Sequence, residues 1–342
     1  MSAGSVLSLE RDQILGFRRR VGALDARLDP GPRSVETAAY AGLQDSMPRA
    51  ALLSLSARVR DVRPSAWEEP PLVQVWGPRF SAYAVAERDR GVFTLGRHPD
   101  DPARRRRAED LAAQLRAHLG EEARPYEEVG KALGVNPNSL RYATTTGTVL
   151  IRWEGARRPL IRMVAPPALG VEEARRELVR RYLHVLGPGT PAGFGQWAGR
   201  SPADAARIFS ALRASLTAVR TPVGEGWILK ADEPGFRGPP DPPAPARLLP
   251  SGDALFLLQG ADRALLVPDP ARRAELWTPR VWPGAVLLAG EIRGTWRRAK
   301  EIVSVAIWGR ISAAERDAVE AEAAALPLPG LEGRPVGVRW VG

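Results

Sequence analysis

Residues 126–164 run through an order of elements that few folds can host. Tyr126 to Leu133 reads as a short helix, Gly134 as a turn, and Asn136 to Tyr142 as a second helix with Pro137 at its start. Gly147 to Arg152 and Leu160 to Val164 then read as two strands, joined by Glu154-Gly155-Ala156-Arg157-Arg158-Pro159. Helix, turn, helix and a basic two-stranded wing is the order of a winged-helix unit. A similar order recurs downstream. An amphipathic helix over 171–184 precedes helices opened by Thr190-Pro191 and Ser201-Pro202, and a strand pair follows at 216–221 and 226–229. This second instance rests on element order, because the sequence repeat itself is weak.

Upstream, helices are expected over 9–23, 35–43 and 49–59, a strand, turn and second extended piece over 72–85, and a turn at 89–92. Asp101-Pro102 opens a helix that ends at Gly120. The run 232–246, DEPGFRGPPDPPAPA, reads as a linker or surface loop. Beyond it, 254–258, 263–267, 285–288, 290–298 and 303–308 read as short strands, and Ser312-Ala313-Ala314-Glu315 is a capping box opening a helix to about Ala325.

The chain has 342 residues, room for two or three domains. It carries a net charge of +10, which points to a polyanion, nucleic acid before membrane surface. Lysine occurs only at Lys131, Lys230 and Lys300, so a coding bias toward arginine is the competing explanation. Cysteine is absent, which excludes disulfides, thiolate catalysis and Cys-containing metal sites. His98, His118 and His184 have no ligand spacing, so no metal site is expected, carboxylate-only sites staying open. No long apolar run predicts a membrane span, and the first residues lack the order of a signal peptide. The expected location is the cytoplasm, at the nucleoid.

Four phrases, kept in order over about residues 10–325, resemble the AlkZ/YcaQ family of winged-helix DNA glycosylases. They are Leu43-Gln44-Asp45-Ser46-Met47-Pro48-Arg49, Leu186-Gly187-Pro188-Gly189-Thr190-Pro191-Ala192-Gly193-Phe194 with Trp197, Leu248-Leu249-Pro250-Ser251-Gly252-Asp253 with Asp262-Arg263, and Gly290-Glu291-Ile292-Arg293-Gly294-Thr295-Trp296-Arg297-Arg298. The resemblance implies an α+β fold of tandem winged helices with a C-terminal β-rich domain. On that plan a first winged-helix unit with the catalytic segment spans 1–100, a second 101–168 and a third 169–232. A Pro-rich linker or loop covers 233–246, and the β-rich domain with its final helix covers 247–342. The resemblance also implies a monomeric, monofunctional enzyme without a cofactor. Such enzymes remove alkylated purines, N7-alkylguanine above all, from duplex DNA, and some members open interstrand cross-links. Two positions depart from the family pattern. Ser46 stands where its Gln-x-Gln or Gln-x-Asp segment has the second functional residue, and Tyr83 stands where Arg-Gly-Thr-x-His has the histidine. A non-catalytic DNA-binding protein, recognising damage or regulating transcription, is the alternative reading.

Hydrolysis of an N-glycosidic bond passes through an oxocarbenium-like state and needs a group to orient or deprotonate water. Gln44, Asp45 and Ser46 are the candidates. Neighbouring Gln44 and Asp45 point differently in a regular element, and Asp45 or Ser46 could instead cap the helix after Pro48. Trp76, Arg79 and Tyr83 could share that cleft, Tyr83 stacking on a base or serving as a half-buried strand residue. Asn138, Arg141, Arg152, Arg157 and Arg158 lie on the expected recognition helix and wing, where phosphates and base edges are contacted. Arg293, Arg297 and Arg298 sit on an arginine-rich hairpin able to clamp phosphates, with Trp296 in the core. The run Arg104 to Arg107 reads as a solvated helix start.

Overall fold

The computed structural model describes residues 6–45, 49–153, 159–238, 244–330 and 334–341. In the first unit β1 (Leu7–Ser8) leads into α1 (Arg11–Val21), opened by a reciprocal cap between Glu10 and Gln13. Then come α2 (Pro32–Ala38), β2 (Leu43–Gln44), α3 (Ala50–Ser56), β3 (Leu72–Trp76) and β4 (Ala82–Ala86). The sheet order is β2-β4-β3. The turn expected at 89–92 is instead the start of α4 (Arg90–Leu95). Its Val92, Phe93 and Leu95 are buried, and that burial outweighs the turn signal of Asp89 and Gly91.

The second unit is α5 (Pro102–Leu119), β5 (Arg124–Pro125), α6 (Tyr126–Ala132), β6 (Val149–Arg152) and β7 (Leu160–Met163). Asp101 caps α5 by accepting from the Arg104 amide at 2.8 Å. The second helix expected from 136 is a 3-10 stretch, Pro137–Thr146. The hydroxyls of Thr144, Thr145 and Thr146 each bond a carbonyl three residues back, at 2.6, 2.9 and 2.8 Å, which favours the tighter winding.

The third unit is α7 (Val171–Leu186), α8 (Pro191–Ala198), α9 (Pro202–Ala211), β8 (Leu216–Thr221) and β9 (Gly224–Leu229). Thr190 and Ser201 cap α8 and α9. In the first two units the first strand pairs with the last and the last with the middle: β2-β4-β3 and β5-β7-β6. In the third, a two-way pairing of Gly189 with Trp227, at 2.9 and 2.8 Å, takes the place of the first strand. β1 extends that sheet by running parallel to β8.

Part of the expected linker is α10 (Glu233–Arg237). Phe236 is buried and stacks on Phe17 at 3.8 Å between ring centroids, so one aromatic anchors a stretch whose Pro and Gly argue for a loop. Residues 239–243 of that run lie outside the described residues. The C-terminal part has β10 (Arg247–Leu249), α11 (Arg263–Leu266), α12 (Pro270–Leu276), β11 (Gly284–Leu288), β12 (Glu291–Ala299), β13 (Ile302–Ile307), α13 (Ala313–Ala324) and β14 (Gly337–Val341). The five strands form one sheet in sequence order, the last pair parallel. The strands expected at 254–258 and 263–267 are short helical turns, because Asp253 caps the Leu255 amide at 3.0 Å and the leucines bury against the other units without a strand to pair. One apolar core runs from Tyr83 and Phe93 through Leu178 and Trp197 to Phe256 and Trp277, joining the first unit, the third unit and the C-terminal part.

Candidate active-site cleft and nucleic-acid interface

Strand geometry decides what each residue of the Gln44-Asp45 pair can do. Gln44 lies opposite Tyr83 in β4, and the Asp45 amide continues the pairing by donating to the Ala82 carbonyl at 2.7 Å. Successive side chains on a strand face opposite ways. Gln44 accordingly lines a cleft of about 190 Å³ with Arg79, Ser251, Gly252, Arg280 and Trp282. No carboxylate is among its described lining residues. The Asp45 carboxylate is buried elsewhere. It accepts from the Ala51 amide at the start of α3 at 3.1 Å and from the Gln74 Nε2 at 3.1 Å. The Gln74 Oε1 in turn accepts from the Trp153 amide at the base of the second unit's wing. Burial pushes the Asp45 carboxyl up to about 6, against the lowering effect of the Ala51 hydrogen bond and the Arg49 charge. Asp45 thus ties three segments together, the capping role open at the sequence level, and does not present its carboxylate to the cleft. Ser46 lies outside the described residues.

The far wall of the cleft is delivered by an ion pair. Asp253 is 0% exposed and receives both Arg58 Nη1 and Nη2, at 2.6 and 2.8 Å, and the Ser54 hydroxyl at 2.7 Å. A two-pronged guanidinium–carboxylate contact with every lone pair used is the form in which a buried pair is stable. Ser54 lies in α3 and Arg58 two residues beyond its end, so the pair clamps Pro250-Ser251-Gly252 over β2. Gly252 has φ +81°, and a Cβ there would stand 3.2 Å from the Gln44 Cδ. The clamp was not expected from the sequence. Its signals were an arginine closing an otherwise apolar helix and an aspartate after Pro-Ser-Gly.

Arg79 takes φ +54° in the turn Pro78–Phe80 and lines the cleft as expected. Tyr83 does not. It is 1% exposed, with its ring against Gly42 and Gly77 and stacked toward Phe93, and burial pushes its hydroxyl up to about 12. A ring sealed this way offers no face to a base or phosphate, which corrects the stacking expectation. Trp76 packs edge-on against Trp153 at 6.3 Å, at the seam between the first two units, and is not among the residues lining the Gln44 cleft.

On the second unit Asn138 is exposed, its amide oxygen accepting from the Tyr126 hydroxyl at 3.2 Å. Arg141 is half-buried beside Phe80 and Tyr142, 5.5 and 5.7 Å from their ring centres. Arg152 pairs with Glu68 at 2.8 Å, docking the second unit on the first. Arg157 and Arg158 lie outside the described residues. On β12, Ile292, Gly294 and Trp296 face the core, and the Trp296 Nε1 donates to the Leu249 carbonyl at 2.8 Å. Arg293, Arg297 and Arg298 are half-buried to exposed and hold carbonyls of Arg310, Val281 and Lys300. The Arg297–Val281 bond places that arginine at the rim of the Gln44 cleft. The structure therefore brings together Gln44, Arg79 and Arg297, and keeps Asn138 and Arg141 on a separate unit. No described helix is long and apolar enough to cross a membrane.

Three helix–strand units of winged-helix order and a cationic cleft define a protein built to handle nucleic acid. A sequence model of the family described as DNA glycosylase AlkZ-like matches residues 35–327, and the chain belongs to that family of duplex-DNA glycosylases. Its fold is similar to that of the Streptomyces sahachiroi DNA glycosylase AlkZ, at 17% identity and a TM-score of 0.79 over 98% of this chain and 100% of that one. No curated protein matches it.

Proposed function

We propose that the chain hydrolyses the N-glycosidic bond of alkylated purines in duplex DNA, N7-alkylguanine first and interstrand cross-links of that base as an extension. The observation that carries this reading is the Gln44 carboxamide lining a cleft with Arg79 and Arg280 while Asp45 is turned away. An amide orients water without being a strong base. That suffices where the leaving group is already cationic, as N7-alkylguanine is, and the sugar bond breaks ahead of nucleophilic attack. Arg79, Arg293, Arg297 and Arg298 would hold backbone phosphates around the lesion. Asp45 supports the site by holding β2, α3 and Gln74 in register.

The lack of a carboxylate among the described lining residues also favours a second reading, damage recognition without cleavage. One assay separates the two. Duplex carrying a single N7-methylguanine is incubated with the protein, and abasic sites are converted to breaks with alkali. Breaks above the spontaneous rate that fall at least about 100-fold in Gln44→Ala are expected for the glycosylase. Salt-sensitive duplex binding with no breaks from the wild type selects the non-catalytic reading.

A further inference from the structure

Arginines in this protein are paired at many positions. Arg58 meets Asp253, Arg181 meets Asp89 and Glu177, and Arg175, Arg200 and Arg207 share Asp100. One place departs from this pattern. A cleft of about 560 Å³ opens where the three winged-helix units meet. Its floor is Arg97, 6% exposed, which donates from Nη1 to the Trp76 carbonyl at 2.9 Å, lies 4.2 Å over the Phe80 ring, and leaves Nε without a partner. Arg104 and Arg107, one turn apart on α5, form one wall. Arg141 stands beside it against Phe80 and Tyr142, its buried Nε also unpartnered.

None of these four guanidinium groups has a carboxylate partner among the described residues. The acids in the wall are already engaged. Asp100 takes Arg175, Arg200 and Arg207, Asp101 takes the Arg104 amide, and Asp204 faces Arg200 at 3.4 Å. A buried cation without a counter-ion is unfavourable, and cation–π contact offsets it only in part. Burial pushes the Arg97 guanidinium down to about 9, and Arg200 and Arg141 repel it in the same direction. An anion in the cleft would relieve both effects.

We propose that this cleft binds a phosphate group, the phosphodiester of a DNA strand seated on Arg97, Arg104, Arg107 and Arg141. The cleft exceeds what one phosphate needs and leaves room for the nucleoside attached to it. Its position suits a strand that also reaches the catalytic cleft. Arg79 lines the Gln44 cleft, the next residue Phe80 lines this one, and a Cβ on Gly199 would stand 3.2 Å from the Arg79 Cα, so a single packed turn separates the two. The inference rests on duplex binding and not on glycosylase activity. The run read from the sequence as a solvated helix start thereby gains a ligand, because tertiary packing sets two of its arginines over Arg97.

The test compares wild type with Arg107→Gln/Arg141→Gln, which spares the buried Arg97, and with Arg237→Gln as an exposed control. Binding of undamaged duplex is followed by fluorescence anisotropy over a salt series. The slope of log affinity against log salt should become shallower by about one in the double variant and stay unchanged in the control. In a second arm, inorganic phosphate and deoxyadenosine monophosphate are added during thermal unfolding. Stabilisation of wild type but not of the double variant would make free nucleotide, and not the strand, the source of the phosphate. An unchanged slope together with no ligand-dependent stabilisation would overturn the proposal. Failure of the wild type to bind duplex at all would instead overturn the DNA-binding reading and leave the second arm to decide the cleft.

Discussion

The Gln44 cleft and the Arg97 cleft lie on either side of one turn, yet their charges are managed in opposite ways. Beside Gln44, Arg58 and Asp253 are buried together, with both guanidinium prongs and the Ser54 hydroxyl used on one carboxylate. At the other cleft Arg97 is buried alone, with Arg104, Arg107 and Arg141 around it. Satisfied charge fixes geometry, and uncompensated charge keeps a place for a ligand. The same residue type serves both purposes, so counting arginines says nothing about which are available to DNA.

The comparison is broken most directly at Asp253. Asp253→Ala strands Arg58 in the core and should lower the unfolding free energy by about 3–5 kcal/mol in urea titrations. Arg107→Gln at the unpaired cleft should change it by no more than about 0.5 kcal/mol. Similar losses in both would end the distinction.

A smaller effect is expected at Asp45. Its folded-state value of about 6 lies above the ordinary 3.8, so the fold favours the neutral acid. Its contribution is therefore fully present below about pH 4 and lost as pH rises through about 6. The wild-type stability measured relative to Asp45→Asn should fall by roughly 3 kcal/mol between about pH 4 and pH 7. A difference that stays flat across that window would show that the carboxyl is ionised without penalty.

Gly252→Ala should cost less stability than Asp253→Ala or the ionisation of Asp45, about 1–2 kcal/mol from its left-handed backbone. It should nevertheless cut glycosylase kcat by about tenfold or more, because the new methyl displaces Gln44, with duplex affinity nearly unchanged. Single-turnover kinetics beside anisotropy would read both, and an unchanged kcat would remove Gln44 from the reaction.

Much of the fold was legible because it is local. Asp101, Thr190, Ser201 and Ser312 announce helix starts that their side chains cap. The alternation of Ile292, Gly294 and Trp296 with Arg293, Thr295 and Arg297 places one face of β12 inward. The errors fell where burial overrode local signals. The turn at 89–92 became helix through Phe93, the Pro-rich run gained α10 through Phe236, and two leucine-rich stretches read as strands became helical turns. Only part of the site was legible. Gln44 and Arg79 line one cleft, whereas Tyr83, although paired with Gln44, is sealed against Gly42, Gly77 and Phe93.

By itself the sequence determined the tandem order of helix, strand and wing, the family, and the residue that lines the cleft, because periodicity, caps and short phrases are written in neighbours along the chain. Tertiary structure alone decided that Asp45 ties segments together away from the Gln44 cleft, that Asp253 reaches back to Arg58, and that Arg97, Arg104 and Arg107 share one cleft with Arg141 beside it. Those outcomes depend on which charges are buried together, and residues up to 195 positions apart meet only when the units pack.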